Sequence, residues 1–169
     1  SFLRIFVMLF ELVYDDIGQN YEETIVLIGG LGTQRTVWPN NLCEELLNNK
    51  YRVIRFDNRD VGESSFYGDI SDLELNKLVS KSLNGDDFTP PYSLSDMAND
   101  TLLLINKLKL TKVHVVGMSM GGMVGHIIAN TGNKNIKSLT SIMSTSGAPY
   151  LPSGKKEAID ALMKKPKDE

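Results

Sequence analysis

A serine lies in a glycine-bounded turn between a strand-like and a helix-like segment. Residues 113–116 are Val-His-Val-Val, residues 117–121 are Gly-Met-Ser-Met-Gly, and residues 122–131 have the composition of a helix. The sequence G-x-S-x-G in this order is typical of a nucleophile elbow, a sharp strand-to-helix turn that exposes the serine hydroxyl. We therefore predict that Ser119 is a catalytic nucleophile and that its φ is positive.

The glycines on either side of the serine support this interpretation. A turn this sharp brings strand and helix very close together, so only the smallest residues fit at Gly117 and Gly121. The alternative is a glycine-rich strand-to-helix turn without catalytic meaning. The order of strand, turn and helix favours the nucleophile.

Apolar segments of strand length alternate with helical patterns along the rest of the chain. This alternation predicts an α/β fold with a mainly parallel sheet and helices on both faces. Ser93, three residues before Asp96, resembles the start of a capping box. The predicted strands are 24–28, 51–56, 112–116 and 136–143, with an antiparallel edge strand at 11–16, and the predicted helices are 37–47 and 94–109.

Two further segments fit this pattern less clearly. Residues 1–10 are apolar apart from Arg4, and we interpret them as a first strand or a ragged chain end. They are too short to span a bilayer and have no small-residue cleavage site. Residues 66–92 are polar, with a short helical stretch around 72–83, and should form an excursion above the sheet.

Charge and cysteine content narrow the range of partners. Lys and Arg number 18 against 21 Asp and Glu, a net charge of −3, so no positive excess attracts a phosphate backbone. We expect no nucleic-acid partner and no membrane association. The single cysteine, Cys43, allows neither an intrachain disulfide nor a cysteine-based zinc cluster. These features favour a cytoplasmic protein without a metal.

A second glycine-rich segment follows an earlier strand. Residues 28–33 are Ile-Gly-Gly-Leu-Gly-Thr, and acyl transfer needs about two N–H donors for its developing oxyanion. We predict that the backbone N–H groups of Leu31 and Met120 are these donors. The alternative is a dinucleotide-binding turn, but Arg35 occupies the third glycine position and the next helix begins too late to receive a pyrophosphate.

Three ordered motifs together resemble the α/β-hydrolase superfamily. They are Gly-Gly-Leu-Gly at 29–32 before Trp38-Pro39, Arg-Phe-Asp-Asn-Arg-Asp-Val-Gly-Glu-Ser at 55–64, and Gly-Met-Ser-Met-Gly-Gly at 117–122. Within the superfamily, the chain is similar to bacterial serine esterases of the anthracycline (aclacinomycin) methylesterase-like group. The strand after the elbow in that group ends in a segment like residues 141–147.

The resemblance implies hydrolysis of a small carboxylic ester without a cofactor. It also implies that several residues support the site structurally: Gly29, Gly30, Gly32, Gly117, Gly121, Asp57 and Arg59. Two positions depart from the usual pattern, since Gly29 replaces a histidine and Asp60 replaces a glycine. The first change removes a side chain and keeps the backbone donor.

Neither histidine of the sequence is placed to activate Ser119. His114 lies inside the strand before the elbow, and His126 lies seven residues after it on the following helix. In this superfamily the order is serine, acid, histidine, so the resemblance places acid and histidine beyond Glu169. We therefore expect a C-terminally truncated core at 1–148, the start of a cap region at 149–169, and little triad-dependent activity in this chain alone.

Other functions remain open from the sequence. Similar elbows support cofactor-free perhydrolysis and C–C bond hydrolysis. A binding protein that keeps the fold without turnover is a further alternative, and the absence of a usable histidine is its main support.

Overall fold

The computed structural model describes residues 11–68, 90–148, 150–152 and 154–163. The segments predicted at 1–10 and 72–83 lie outside these described residues. The strands are β1 (Tyr14–Ile17), β2 (Glu23–Ile28), β3 (Arg52–Phe56), β4 (Lys112–Met118) and β5 (Ile136–Ile142). The helices are α1 (Asn40–Asn48), α2 (Leu94–Lys107), α3 (Met120–Asn130) and α4 (Lys156–Met163), and a short 3₁₀ helix spans Arg35–Val37.

The five strands form one sheet in the order β1-β3-β2-β4-β5. All neighbours are parallel except β1, which pairs antiparallel with β3. The predicted edge strand is therefore present, although it covers Tyr14–Ile17 instead of 11–16. Because the parallel strands share a direction, the segments that follow β2, β3, β4 and β5 meet at one edge of the sheet.

Alternating side chains of the strands fill two separate cores, one on each face of the sheet. On one face, Val26, Ile54 and Val115 pack with the buried residues of α2 and α3. On the other, Leu27 and Val53 pack with Trp38 and with Cys43 of α1. The predicted arrangement, a mainly parallel sheet with helices on both faces, is confirmed.

The first helix begins three residues later than predicted. Residues 35–37 form the 3₁₀ helix, and α1 begins at Asn40 with Pro39 as its N-cap. Trp38 has an extended conformation, with φ −80° and ψ 108°, because the ring of a following proline disfavours the helical region. Pro39 therefore separates the two helical segments that the apolar pattern joined.

The start of α2 agrees with the predicted capping box. The Ser93 hydroxyl accepts a hydrogen bond from the Asp96 backbone N–H at 3.3 Å, and the Asp96 carboxylate accepts one from the Ser93 backbone N–H at 2.7 Å. The hydroxyl of Ser93 also donates to the Asp96 carboxylate at 2.7 Å. These bonds from Ser93 lower the pKa of Asp96.

Replacement of the cap tests its contribution to stability. Ser93→Ala should lower the free energy of unfolding by about 1 kcal/mol, the usual value for a lost N-cap, as measured by urea denaturation at neutral pH. The exposed Ser95 in the same turn offers a control, and Ser95→Ala should change stability by less than about 0.5 kcal/mol. Because folding lowers the Asp96 pKa, its contribution is present above the ordinary aspartate pKa and disappears as pH falls through the folded-state pKa. Equal effects of both variants at neutral pH would contradict this role.

Candidate active site

Ser119 lies between the last residue of β4 and the first residue of α3. Its φ is 53° and its ψ is −120°, and the residue is exposed. The predicted positive φ is confirmed. Such a conformation is unfavourable for a residue with a side chain and persists where the surrounding structure enforces it.

The elbow is enforced by direct contact between backbone segments. A Cβ atom on Gly121 would overlap the carbonyl oxygen of Ile28 and lie 2.6 Å from that of Gly29. One on Gly117 would overlap the Gly121 carbonyl and lie 2.6 Å from the nitrogen of Gly122. Backbone atoms cannot move aside as a flexible side chain can, so both positions require glycine.

The loop that follows β2 lies directly beside the serine. A Cβ atom on Gly30 would lie 3.4 Å from the Cβ of Ser119 and 3.9 Å from its Oγ. The next residue, Leu31, lies beyond the end of β2, and 81% of its surface is exposed. Thr33 closes the turn through its backbone N–H and its hydroxyl, which donate to the Gly30 carbonyl at 3.3 and 3.0 Å.

Two backbone N–H groups near Ser119 are relevant to an oxyanion. Met120 is the first residue of α3, so its N–H has no carbonyl partner within the helix. The turn and loop hydrogen bonds between described residues do not use the Leu31 N–H as a donor. These observations agree with the predicted pair of donors, although the pair itself stays a prediction.

A buried carboxylate ties the loop after β2 to the loop after β3. The Asp57 side chain is fully buried and accepts hydrogen bonds from the backbone N–H and the guanidinium of Arg35, both at 2.5 Å. The backbone N–H of Glu63 donates to the same carboxylate at 3.1 Å. The guanidinium of Arg35 also contacts the carboxylates of Glu63 at 2.6 Å and Asp15 at 3.3 Å. The Glu63 hydrogen bond is the main reason why the pKa of Arg35 is raised.

A second ion pair joins the loop after β3 to α2. The guanidinium of Arg59 donates two hydrogen bonds to the carboxylate of Asp100, at 2.7 and 2.8 Å, and both residues are buried. Arg59 also lies over the ring of Tyr92, 4.7 Å from its centroid. Between the two arginine sites, the Asn58 side-chain amide donates to the Gly29 carbonyl at 3.3 Å. Asp57 and Arg59 thus connect the loops around the elbow.

Sequence reasoning missed the partners of these two residues. Arg35 was considered only as a mismatch to a dinucleotide motif, and Asp100 was not singled out. A signal for Asp100 existed, because it is three residues from Met97 and four from Leu104. This spacing places Asp100 on the apolar face of α2, where an acid needs a partner.

Both histidines lie away from the elbow. In β4, the Nε2 of His114 is 2.7 Å from a carboxylate oxygen of Glu23, and its Nδ1 is 2.8 Å from the hydroxyl of Ser138. The five residues from His114 to Ser119 correspond to about 16 Å of strand. His126 is exposed on α3, about two helical turns from the elbow. Neither ring lies where it could remove a proton from Ser119.

The end of β5 completes the surroundings of Ser119. The backbone N–H of Ser119 donates to the Ile142 carbonyl at 2.9 Å, and the Ser119 carbonyl accepts a hydrogen bond from the Ser144 hydroxyl at 2.6 Å.

Among the described residues, no group of three or more His, Cys, Asp or Glu side chains could hold a metal ion. Within the same part of the chain, no helix is both long and apolar enough to cross a membrane.

Sequence comparison decides the family. The profile described as alpha/beta hydrolase fold matches residues 23–168. The chain belongs to the α/β-hydrolase fold family. Its strand–elbow–helix unit and its mainly parallel sheet agree with this assignment.

Relatives of this α/β-hydrolase include several named hydrolases. Rhodomycin D methylesterase DauP from Streptomyces sp. (strain C5) is 29% identical over 126 residues, which cover 75% of this chain and 36% of the relative. A putative carbamate hydrolase RutD from Caulobacter segnis is 31% identical, with coverage of 63% and 32%. The matched part of the chain therefore spans about a third of the length of these relatives.

A solved structure shares the fold. A carboxylesterase structure from Nitrososphaera gargenis superposes with a TM-score of 0.65, covering 90% of this chain and 47% of that one at 18% identity. The resemblance to anthracycline methylesterases is supported by DauP, and the relatives are hydrolases. The chain therefore has the α/β-hydrolase fold, and its matched part covers less than half of this solved structure.

The buried pair of Arg59 and Asp100 gives a testable prediction. Asp100→Ala leaves the guanidinium buried without its carboxylate, and should lower the free energy of unfolding by roughly 3–5 kcal/mol. The double variant Arg59→Met/Asp100→Leu removes both charges and should recover more than half of that loss. Asn99→Ala, at the exposed neighbouring position, is the control. Urea denaturation measures all three, and a loss below about 1 kcal/mol in Asp100→Ala would show that the pair is dispensable.

Proposed function

We propose that this α/β-hydrolase is a serine esterase in which Ser119 is the nucleophile. The observation that carries the proposal is the exposed Ser119, with a φ of 53°, in a turn bounded by glycines and directly beside Gly30. This conformation keeps the hydroxyl clear of the helix that follows. In this proposal, the ester carbonyl lies beside the serine hydroxyl and the loop after β2.

The proposed chemistry follows from the groups around the Ser119 hydroxyl. Ser119 Oγ attacks the ester carbonyl, and the carbonyl oxygen becomes negatively charged in the tetrahedral intermediate. The N–H groups of Leu31 and Met120 donate hydrogen bonds to this oxyanion. Collapse of the intermediate expels the alcohol and leaves an acyl-enzyme, which water then hydrolyses.

A base must remove the serine proton, and an acid must orient that base. Because His114 and His126 are both placed elsewhere, we propose that histidine and acid come from a part of the protein that follows this sequence. Residues 149–169 would then begin a cap over the site. Helix α4 lies in this region, and Tyr150 before it is exposed.

The substrate would be a methyl or other small ester of a hydrophobic molecule. The name of DauP, a methylesterase, supports the ester. Exposed apolar side chains after three strands support the hydrophobic partner, because Leu31, Phe66 and Met143 follow β2, β3 and β5 at the edge that carries Ser119. Such a small-molecule substrate fits a cytoplasmic enzyme.

One alternative is favoured by a specific observation. A non-catalytic binding protein with this fold would need no base, and neither histidine of the chain lies near Ser119. The enzyme and the binding protein differ in whether a longer protein containing this sequence turns over esters.

Turnover of short p-nitrophenyl esters tests the proposal. We expect the 169-residue chain to show at most the residual activity of an enzyme without its triad, about 10³- to 10⁴-fold above water. A longer protein that includes the downstream coding sequence should be far more active, and Ser119→Ala should abolish that activity. Equal rates in the two proteins would reveal a base within this chain, and His126 would be examined first. Full activity in Ser119→Ala would refute the nucleophile.

A proline substitution tests the donor at Leu31, since proline has no backbone N–H. In the longer protein, Leu31→Pro should lower kcat about 10²- to 10³-fold, the loss typical of one oxyanion donor. Leu31→Ala keeps the N–H and removes only the exposed side chain, so its kcat should stay within about threefold. Thermal denaturation of both variants checks that the fold survives. A matching loss in Leu31→Ala would assign the effect to the side chain.

A further inference from the structure

The chain after β5 contacts both backbone polar groups of Ser119. The Ile142 carbonyl accepts the hydrogen bond of the Ser119 N–H at 2.9 Å. Two residues later, the hydroxyl of Ser144 donates to the Ser119 carbonyl at 2.6 Å. One short segment therefore fixes the orientation of the Ser119 backbone on both sides of its Cα atom.

The residue between these two contacts has an unusual conformation. Met143 has a φ of 47°, which is unfavourable for a residue with a side chain. Its side chain does not explain this conformation, because 78% of its surface is exposed. The turn at Met143 instead places the Ile142 carbonyl and the Ser144 side chain on the same neighbour.

Gly122 provides the space that Ser144 needs. A Cβ atom at Gly122 would lie 2.5 Å from both the Cβ and the Oγ of Ser144. A larger residue in the first turn of α3 would therefore push the hydroxyl away from the Ser119 carbonyl. Gly122 thus leaves room for the contact with Ser144, whereas Gly121 leaves room for the contact with the end of β2.

The hydrogen bond from Ser144 reaches a peptide group with a second function. The carbonyl of Ser119 and the N–H of Met120 belong to the same peptide unit. A hydrogen bond accepted by a peptide carbonyl polarises the unit and strengthens the bond that its N–H donates. Two amides of α3 also donate to this carbonyl, Gly122 at 2.9 Å and Met123 at 3.3 Å.

We propose that Ser144 is a positioning residue of the oxyanion hole: its hydroxyl orients and polarises the Ser119–Met120 peptide, whose N–H stabilises the oxyanion. This inference rests on the function proposed above. Ser144 itself does not touch the substrate. Its effect therefore belongs to the transition state, in which the oxygen is charged, and not to ester binding.

The expected size of the effect follows from two general values. One oxyanion donor accounts for about 10²- to 10³-fold in kcat, and a hydrogen bond strengthens its neighbour in a chain by roughly 10–30%. Loss of the Ser144 hydroxyl should thus lower kcat by roughly 2- to 8-fold. KM should remain unchanged, because the uncharged ester carbonyl depends much less on the hydrogen bond from the Met120 N–H than the charged oxyanion does.

The test combines kinetics with the amide signal of Met120. In the longer, active protein, Ser144→Ala should lower kcat by that factor at constant KM, and Ser144→Thr should restore it. In ¹⁵N-labelled protein, the Met120 amide proton should shift to lower frequency in Ser144→Ala, as expected for a weaker polarisation. Ser141→Ala is the matched control. It removes a hydroxyl from the same end of β5, and this hydroxyl makes no hydrogen bond to the described residues.

The outcomes separate this inference from the proposed function. In the first outcome, Ser119→Ala abolishes turnover, but Ser144→Ala gives the same kcat or the same Met120 signal as Ser141→Ala. Ser144 then has no positioning role, and Ser119 remains the nucleophile. If Ser119→Ala retains turnover, both proposals fail together. Should Ser144→Ala not fold, Ser144→Cys decides, because a thiol is a weak donor of similar shape and should give an intermediate kcat and shift.

Discussion

The close approach of α3 to the end of β2 determines the geometry of the whole site. Gly121 lies against the carbonyl oxygens of Ile28 and Gly29, so the helix begins directly above the carboxyl ends of the central strands. That contact places Ser119 outside both the strand and the helix, next to Gly30. A side chain at Gly121 would separate these segments and move the serine away from the loop on which its chemistry would depend.

Buried charges hold the surrounding loops in a fixed relation to this contact. Asp57 joins the loops after β2 and β3, and Arg59 joins the loop after β3 to α2. Burial of a charge is costly unless it is paired, so each pair restricts the loops to conformations that preserve it. The apolar cores on the two faces position the strands, whereas these ion pairs position the loops between them.

The sequence predicted features that depend on neighbouring residues more reliably than those that depend on distant ones. The capping box at Ser93 and the turn at Ser119 are local patterns, and both predicted conformations are present. The predicted start of the first helix was wrong because Pro39 restricts the conformation of the residue before it. The partners of Arg35, Arg59 and Ser144 were missed because they lie 22, 41 and 25 residues away along the chain. A local pattern can mark Asp100 as an acid that needs a partner, but which residue is the partner depends on the order of strands in the sheet.

The pairing of β2 with β4 has a consequence for how the serine acquires its conformation. These strands are neighbours in the sheet, yet an ion pair at their start, between Glu22 and Lys112, joins residues 90 apart in sequence. Closing a loop of this length costs roughly 4 kcal/mol of chain entropy, and such non-local contacts form slowly. The carbonyl groups that enforce the elbow belong to β2 and β5, so a chain in which β4 has not yet docked leaves Ser119 free to relax to a negative φ. If Ser119 is the nucleophile proposed above, its reactivity depends on this docking, and a chain in which β4 is undocked carries an ordinary, unactivated hydroxyl.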